Sequence, residues 1–362
     1  MIKIGIIGAG QLGQMLGHAG RALGIECIFL DPTENPPAQD AGTVIRYAFD
    51  DVDGLRELAS RVDVLTYEFE NVPVSAVEAV VDALDVYPPP AALRFAQDRL
   101  VEKQLFQSLA IPVAAFRTVD SEIDLKNAAN EIGLPLVLKT RRFGYDGKGQ
   151  IVVRDDSALA DAWRELGAAP LIAEQLIEFD AEVSMIGVRN VAGDIVTYPL
   201  TENVHKNGIL QTSRAPAGST ELTELAQSYH AKLVTELAYV GVLALELFVV
   251  GDHLVANEFA PRVHNSGHWT IEGAVTSQFE NHLRAIANMP LGDPSAIGYV
   301  AMENLIGSLP ADLQLLQEAG YFVHEYGKTA RPGRKLGHIT LIAGDADSCE
   351  RKLQALHEIM ST

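Results

Sequence analysis

The sequence has 362 residues, enough for two or three domains, and its 48% hydrophobic and 21% charged residues allow sizeable buried cores. Its net charge of −20, from 28 basic and 48 acidic residues, argues against duplex nucleic acid as a partner, which would require positive side chains to replace counterions. Neither of the two cysteines, Cys27 and Cys349, has a C-x-x-C partner, which excludes zinc-ribbon and dithiol readings and suits a reducing cytoplasm.

In chain order, residues 2–8 form an apolar run that predicts a strand covered on both faces, with no signal-peptide layout before it. A helix is expected at 11–23, strands at 25–31, 43–49 and 62–70, and a helix at 74–84. Strands alternating with helices indicate a parallel, doubly wound sheet. "VYPPPAAL" (86–93) breaks the pattern, because three prolines continue neither a helix nor a central strand, and a first boundary is placed near 90–97. A helix is then expected at 91–109, an extended segment at 111–119 and a helix at 121–132. A strand at 134–140 runs into "RRFGYDGKGQ" (141–150) and returns at 151–155, followed by a helix at 157–166 and a strand at 170–177. This compact α/β unit is able to move as one piece. Strands follow at 182–190 and 194–200, a helix at 221–239, strands at 241–250 and 253–260, a helix near 276–288, and a small C-terminal unit from about 291. "VGVLALELFVV" (240–250) is the most apolar run; it contains Glu246 and is too short to cross a membrane.

"GAGQLG" (8–13) spells G-x-G-x-x-G between the first strand and the first helix, with Asp31 at the end of the next strand. That is the layout of a dinucleotide turn, in which Asp31 would hold ribose hydroxyls. The physics says only that backbone N–H groups at a helix N-terminus can face an anion. The anion could be any phosphate, or nothing. Gln11 stands where its amide can reach a ligand.

The hairpin 134–155 carries Gly144, Gly147 and Gly149, through which backbone N–H groups can approach an anion. Lys139, Arg141, Arg142 and Lys148 add charge within ten positions. The pattern is a flap over phosphates or an ordinary glycine-turned hairpin; it is not a P-loop, since no G-K-[ST] opens a helix here.

"LALELFVVGDHLVANEF" (243–259) reads as two strands around Gly251-Asp252. A three-residue loop, 251–253, sets Glu246 opposite Glu258, with Cβ atoms about 4.5–5.5 Å apart. Carboxylates so placed repel unless a divalent cation or a shared proton lies between them. Asn257 offers a further oxygen. A two-residue loop would instead put the glutamates out of register. "APRVHNSGHWT" (260–270) follows, with Arg262, His264, Asn265 and His268: donors for an oxyanion, or a polar surface loop. Ser266-Gly267 argues against the helix that a zinc pair of His264 and His268 would need. "YGKTARPGRKLGH" (326–338), with Lys328, Arg331, Arg334 and Lys335, is a phosphate-binding or a solvated basic stretch.

A glycine-rich lid hairpin preceded by lysine, then strand glutamates reading E…NE, resembles the ATP-grasp superfamily. The strings "GQLG", "DRLVEKQLF", "GYDGKGQ", "EFAPRVHNSGHWT" and "RPGRKLGH" resemble the 5-(carboxyamino)imidazole ribonucleotide synthases of purine biosynthesis, over nearly the whole chain. The resemblance implies an α/β chain, α+β overall, with the ATP-grasp fold. Its parts would be an N-terminal Rossmann-like substrate domain (1–96), an ATP-grasp domain (97–290) with a mobile lid (about 112–172), and a small C-terminal domain (291–362). No fused carboxylase-mutase domain is expected beyond it.

The implied reaction joins bicarbonate to the exocyclic amine of aminoimidazole ribonucleotide at the expense of ATP, with Mg²⁺. By resemblance, the ATP contacts are Arg99, Lys139, Gly144, Tyr145, Asp146, Gly147, Lys148, Gly149, Gln150, Glu174, Gln175, Leu176, Ile177, Glu182, His205, Asn257 and Glu258. The metal ligands are Glu246 and Glu258. Arg262, His264 and Asn265, with Lys148 and Tyr145, are the catalytic positions. Gln11, Glu68, Glu70, Tyr145, Asp146, Lys328 and Arg334 line the ribonucleotide, with the choice between Glu68 and Glu70 open. Many relatives carry arginine where Lys148 stands; charge is kept and a bidentate grip is lost. A cytoplasmic homodimer is implied. On this reading the glycine turn lines the ribonucleotide rather than NAD. The rivals are a formate-dependent glycinamide ribonucleotide transformylase, an NAD dehydrogenase, and a nucleotide-binding regulator without turnover.

Overall fold

The structure, a computed structural model, describes residues 1–144 and 148–360; Tyr145, Asp146 and Gly147 lie outside the described residues. Among the described residues three sheets form. The first holds β1 (Lys3–Ile7), β2 (Glu26–Leu30), β3 (Thr43–Ile45), β4 (Val64–Tyr67) and β5 (Asp85–Val86), all parallel, in the order β3-β2-β1-β4-β5. Ile4, Ile6 and Ile7 of central β1 are fully buried, as its unbroken apolar run requires. The helix Gln11–Ala22 packs on this sheet. β3 is an edge strand and stops at Ile45, shorter than expected, and the helix expected at 74–84 covers only Val74–Glu78. An unexpected helix, Val52–Ala59, is capped by Asp51, which accepts from Gly54 N–H. β4 ends at Tyr67, so Glu68 and Glu70 stand beyond its carboxyl end, where open α/β sheets hold ligands.

The second sheet holds β6 (Phe116–Val119), β7 (Leu136–Thr140), β8 (Gln150–Val153) and β9 (Leu171–Gln175), antiparallel in the order β6-β9-β7-β8. The helices Glu122–Ile132 and Leu159–Leu166 bury Leu125, Ala128, Leu159 and Ala162 with Leu136, Leu138, Leu171 and Ala173 of its strands.

The third sheet runs β15-β14-β10-β12-β13-β16-β18-β17 and is antiparallel throughout. Its strands are β10 (Ala181–Arg189), β11 (Ile195–Thr197, paired to β10 off the main path), β12 (Thr201–Lys206), β13 (Ile209–Ala215), β14 (Gly241–Val250), β15 (His253–Ala260), β16 (Tyr299–Ile306), β17 (Phe322–Glu325) and β18 (Lys335–Ala343). The C-terminal strands therefore extend the same sheet through β13. The β12–β13 hairpin is an addition to the expected elements, although Asn207-Gly208, both at positive φ, is the strongest short hairpin signal a sequence can carry. Among the described residues no helix is long and apolar enough to cross a membrane.

The helix expected at 91–109 is two helices, Pro90–Ala96 and Arg99–Ser108. Asp98 breaks it. Its backbone is extended, and its carboxylate caps the second helix by accepting from Leu100 N–H at 3.1 Å. The same carboxylate takes a forked grip from Arg141, Nε at 3.0 Å and NH2 at 2.7 Å, at the root of the glycine hairpin. Asp98→Ala removes the cap and strands Arg141, so stability measured by urea unfolding should fall by about 2–3 kcal/mol. An unchanged midpoint would refute this account of Asp98.

Candidate active site

A cleft of about 1560 Å³ is lined by strand residues of the second and third sheets and, beyond the carboxyl ends of the first, by Gln11, Leu12 and residues 68–71. Every described candidate residue except Gly149 borders it. Gly149 works one layer back: its φ is +72°, and a Cβ there would lie 2.7 Å from Thr140 Oγ1, so it shapes the hairpin.

Glu246 and Glu258 are directly opposite one another on β14 and β15. The route differs from the one expected. The loop is the two residues Gly251-Asp252, since Val250 pairs with His253; alone, that register would put Asn257 opposite Glu246. A β-bulge at Asn257 shifts the pairing by one and restores the glutamate pair. His264 Nε2 lies 3.1 Å from Glu246 Oε1, and Arg99 NH1 donates to Glu258 Oε2 at 2.7 Å. Burial would raise the Glu246 carboxyl, but His264, His205 and Arg262 outweigh it and hold it well below the usual carboxylate range. Among the described residues, one oxygen of each glutamate is left for a cation. No cluster of three or more His, Cys, Asp or Glu side chains among those residues is spaced to hold a metal. Two carboxylates opening on a cleft are the donor set that Mg²⁺ takes when phosphates complete its shell.

Along one wall, Lys139 Nζ donates to Glu174 Oε2 at 3.0 Å, and the buried Lys103 reaches the same oxygen at 3.3 Å. Burial pushes the Glu174 carboxyl up, but the two ammonium groups bring it down to about 2, so it is ionised. Its other oxygen, Oε1, is buried without a partner among the described residues and can accept from a ligand. Gln175, Leu176 and Ile177 continue this wall, and Glu182 Oε2 lies 2.7 Å from His205 Nδ1. Phe179 and Phe248, stacked at 4.7 Å, add an aromatic face that the sequence did not single out. Gly144, Lys148 and Gln150 border the cleft from the hairpin.

On the opposite side, Arg262 is ion-paired with Glu70 and donates to Val263 O at 3.0 Å. Burial alone would raise the Glu70 carboxyl; Arg262, through its charge and hydrogen bond, brings it below the usual range. Asn265 and Asn304 exchange amide hydrogen bonds of 3.1 and 2.8 Å. His268 is buried against Tyr326 and His338.

The glycine turn holds an anion, and the anion is the chain's own. Glu68 Oε1 accepts from Gly10 N–H at 2.6 Å and Oε2 from Gly13 N–H at 2.8 Å. Asp31 is likewise spent on the backbone, accepting from Ala9 N–H at 2.9 Å and Thr33 N–H at 2.8 Å. Neither carboxylate is placed as a dehydrogenase would use it. Gln11 Oε1 accepts from Lys328 Nζ across the cleft, with Arg334 nearby on the cleft wall.

Three family models match in succession: the ribonucleotide synthetase preATP-grasp domain over 1–97, the ATP-grasp domain over 104–279, and the phosphoribosylaminoimidazole carboxylase C-terminal domain over 300–352. The chain is 47% identical to the N5-carboxyaminoimidazole ribonucleotide synthase of Pseudomonas aeruginosa over 359 residues, 99% of each chain. The chain belongs to the N5-carboxyaminoimidazole ribonucleotide synthases. This family's enzyme from Thermus thermophilus superposes at a TM-score of 0.95, with 47% identity and 99% of each chain covered. The synthase from Aspergillus clavatus, in complex with ADP and 5-aminoimidazole ribonucleotide, superposes at 0.91 with 31% identity, covering 99% of this chain and 98% of that one. As a member of the synthase family the chain is an ATP-dependent carbon–nitrogen ligase.

Because Glu68 fills the glycine turn, Glu68→Ala leaves two N–H groups without an acceptor. Unfolding free energy should drop by about 1–3 kcal/mol, and calorimetric titration of the parent chain with NADH should show no binding. NADH binding at micromolar concentration would overturn the account of the turn.

Proposed function

We propose that the chain carboxylates the exocyclic amine of 5-aminoimidazole ribonucleotide with ATP and bicarbonate, releasing ADP and phosphate, in de novo purine biosynthesis. The observation that carries this reading is the facing pair Glu246 and Glu258 on the floor of a cleft that also presents Lys139, Lys148 and Arg262. Bound Mg²⁺, held by the two glutamates, would neutralise charge on the transferring phosphoryl group. Lys139 and Lys148 hold the phosphates from the hairpin side, Lys148 as a point charge rather than a planar fork. Glu174 to Ile177, with Glu182 and His205, hold the rest of ATP, and Arg99 and Asn257 border the metal pair.

A bicarbonate oxygen attacks the γ-phosphorus and ADP leaves, giving carboxyphosphate. Arg262 holds this anion, with His264 and Asn265 beside it. The substrate amine then attacks the carboxyl carbon of carboxyphosphate, or of CO₂ released from it; phosphate departs and the amine loses a proton. The glycine hairpin closes to exclude water, which would hydrolyse the intermediate. Gln11, Lys328 and Arg334 take the ribonucleotide. Glu70, which stands on the cleft wall in its ion pair with Arg262, is the glutamate we assign to it, since Glu68 is occupied by the glycine turn. Tyr145 and Asp146 keep the substrate and ATP roles that the resemblance gives them.

We divide the chain at 96/97 and 290/291, with the lid at about 112–172; the three successive family matches support this division. A cytoplasmic homodimer completes the reading, supported by the resemblance and by two buried free thiols.

The test is ADP release with Mg·ATP and 5-aminoimidazole ribonucleotide, with and without bicarbonate. Release requiring both co-substrates is expected; release supported by formate instead would replace the acid. Glu258→Gln should abolish release with the fold intact by circular dichroism, and normal turnover in that variant would sink the metal assignment.

Lys328 supplies a pH dependence. Burial disfavours its charge and brings its pKa to about 8, with Glu68 pulling it up and Arg334, Lys335 and Arg331 pushing it down. The charged form binds phosphate, so kcat/KM for the ribonucleotide should fall as pH rises through about 8. Lys328→Arg stays charged and should move that limb to higher pH; an unmoved limb would remove Lys328 from the substrate site.

A further inference from the structure

The facing glutamates depend on one irregularity. Regular pairing outward from the two-residue turn sets Leu247 opposite Ala256. One further regular step would set Glu246 opposite Asn257 and turn Glu258 to the other face. Only the bulge prevents this. β15 is the edge of its sheet; on its outer side Ala256 forms an isolated parallel bridge to Val113, with Ala256 N–H donating to Pro112 O at 2.7 Å. Side chains of the helix Arg99–Ser108 hold the rest of that side. Lys103 Nζ donates to Ala256 O at 3.3 Å and to Asn257 O at 2.9 Å, and Glu102 Oε1 accepts from Phe259 N–H at 2.7 Å. In a regular strand consecutive carbonyls point to opposite edges. Two consecutive carbonyls on one ammonium group require the bulge. Lys103 and Glu102 are each 2% exposed, and Lys103 also pairs with Glu174 at 3.3 Å.

We propose that Lys103, assisted by Glu102, is a positioning residue that pins the Asn257 bulge and thereby sets Glu258 opposite Glu246. Its importance for catalysis rests on the reading of those glutamates as the cation's ligands; the register itself does not.

Register is read by oxidative cross-linking of Glu246→Cys with Glu258→Cys in the full chain, where native Cys27 and Cys349 are buried and do not compete. With Lys103 present the pair should link readily. Adding Lys103→Met should slow linking about tenfold or more, because a one-residue slip carries position 258 to the other face. Deleting Asn257 in that background straightens the strand and places residue 258 opposite 246 without a bulge, so linking should return. Unchanged linking in Lys103→Met overturns the proposal. So does a deletion that fails to restore linking, or that fails to restore folding should Lys103→Met alone not fold. Mn²⁺ binding to the ADP complex of the unmutated chain, followed by electron paramagnetic resonance, tests the metal reading separately: its absence would sink that reading and leave the register result standing.

Discussion

Two carboxylates held side by side on one sheet face repel each other, and most of the cleft answers to that constraint. Arg99 ion-pairs with Glu258, and His264 lies 3.1 Å from Glu246. The same pattern recurs along the wall, where Lys139 and Lys103 share Glu174, and across the cleft, where Arg262 holds Glu70. A protein with a net charge of −20 thus gathers cations where anionic ligands must sit, and each of these cations is already partnered before any ligand arrives. The arrangement fixes side-chain positions in advance, so little reorganisation remains when charge develops.

One helix, Arg99–Ser108, supports several of these contacts at once. Its cap, Asp98, holds the root of the glycine hairpin through Arg141; its first residue, Arg99, reaches Glu258; its next turn, Glu102 and Lys103, lies along the edge of β15. The glycine hairpin, the Glu258 edge and the Glu174 wall therefore share one support.

The sheet classes and most elements are legible in the sequence because apolar periodicity reports them directly. The candidate site residues are singled out for a different reason, their place in strings whose resemblance is specific, and the described ones other than Gly149 border one cleft. What local pattern does not carry is pairing between distant segments. Spacing alone leads to the Glu246–Glu258 pair through a three-residue loop, and the structure reaches it through a two-residue loop and a bulge; nothing in the spacing of β15 announces an extra residue. Glu68 as the occupant of the glycine turn is hidden in the same way, since Gly10 and its acceptor lie 58 positions apart. Asp98 reads as one more polar residue in a helical run until Arg141 is seen to hold it. The β12–β13 hairpin is the opposite case. Its Asn-Gly signal is in plain view, and the expected strands simply stop before it.

The contact between Gln11 and Lys328 spans 317 positions. The cleft is therefore closed on that side only once the chain has reached Lys328. When the glycine turn and the facing glutamates Glu246 and Glu258 have already left the ribosome, the basic stretch that closes the far wall is still unmade. Domains fold as they emerge, N-terminal first, so the earlier parts of the molecule spend their first seconds as a scaffold with an open side. Completion of the last sheet strands is what turns that scaffold into an enclosed reaction chamber.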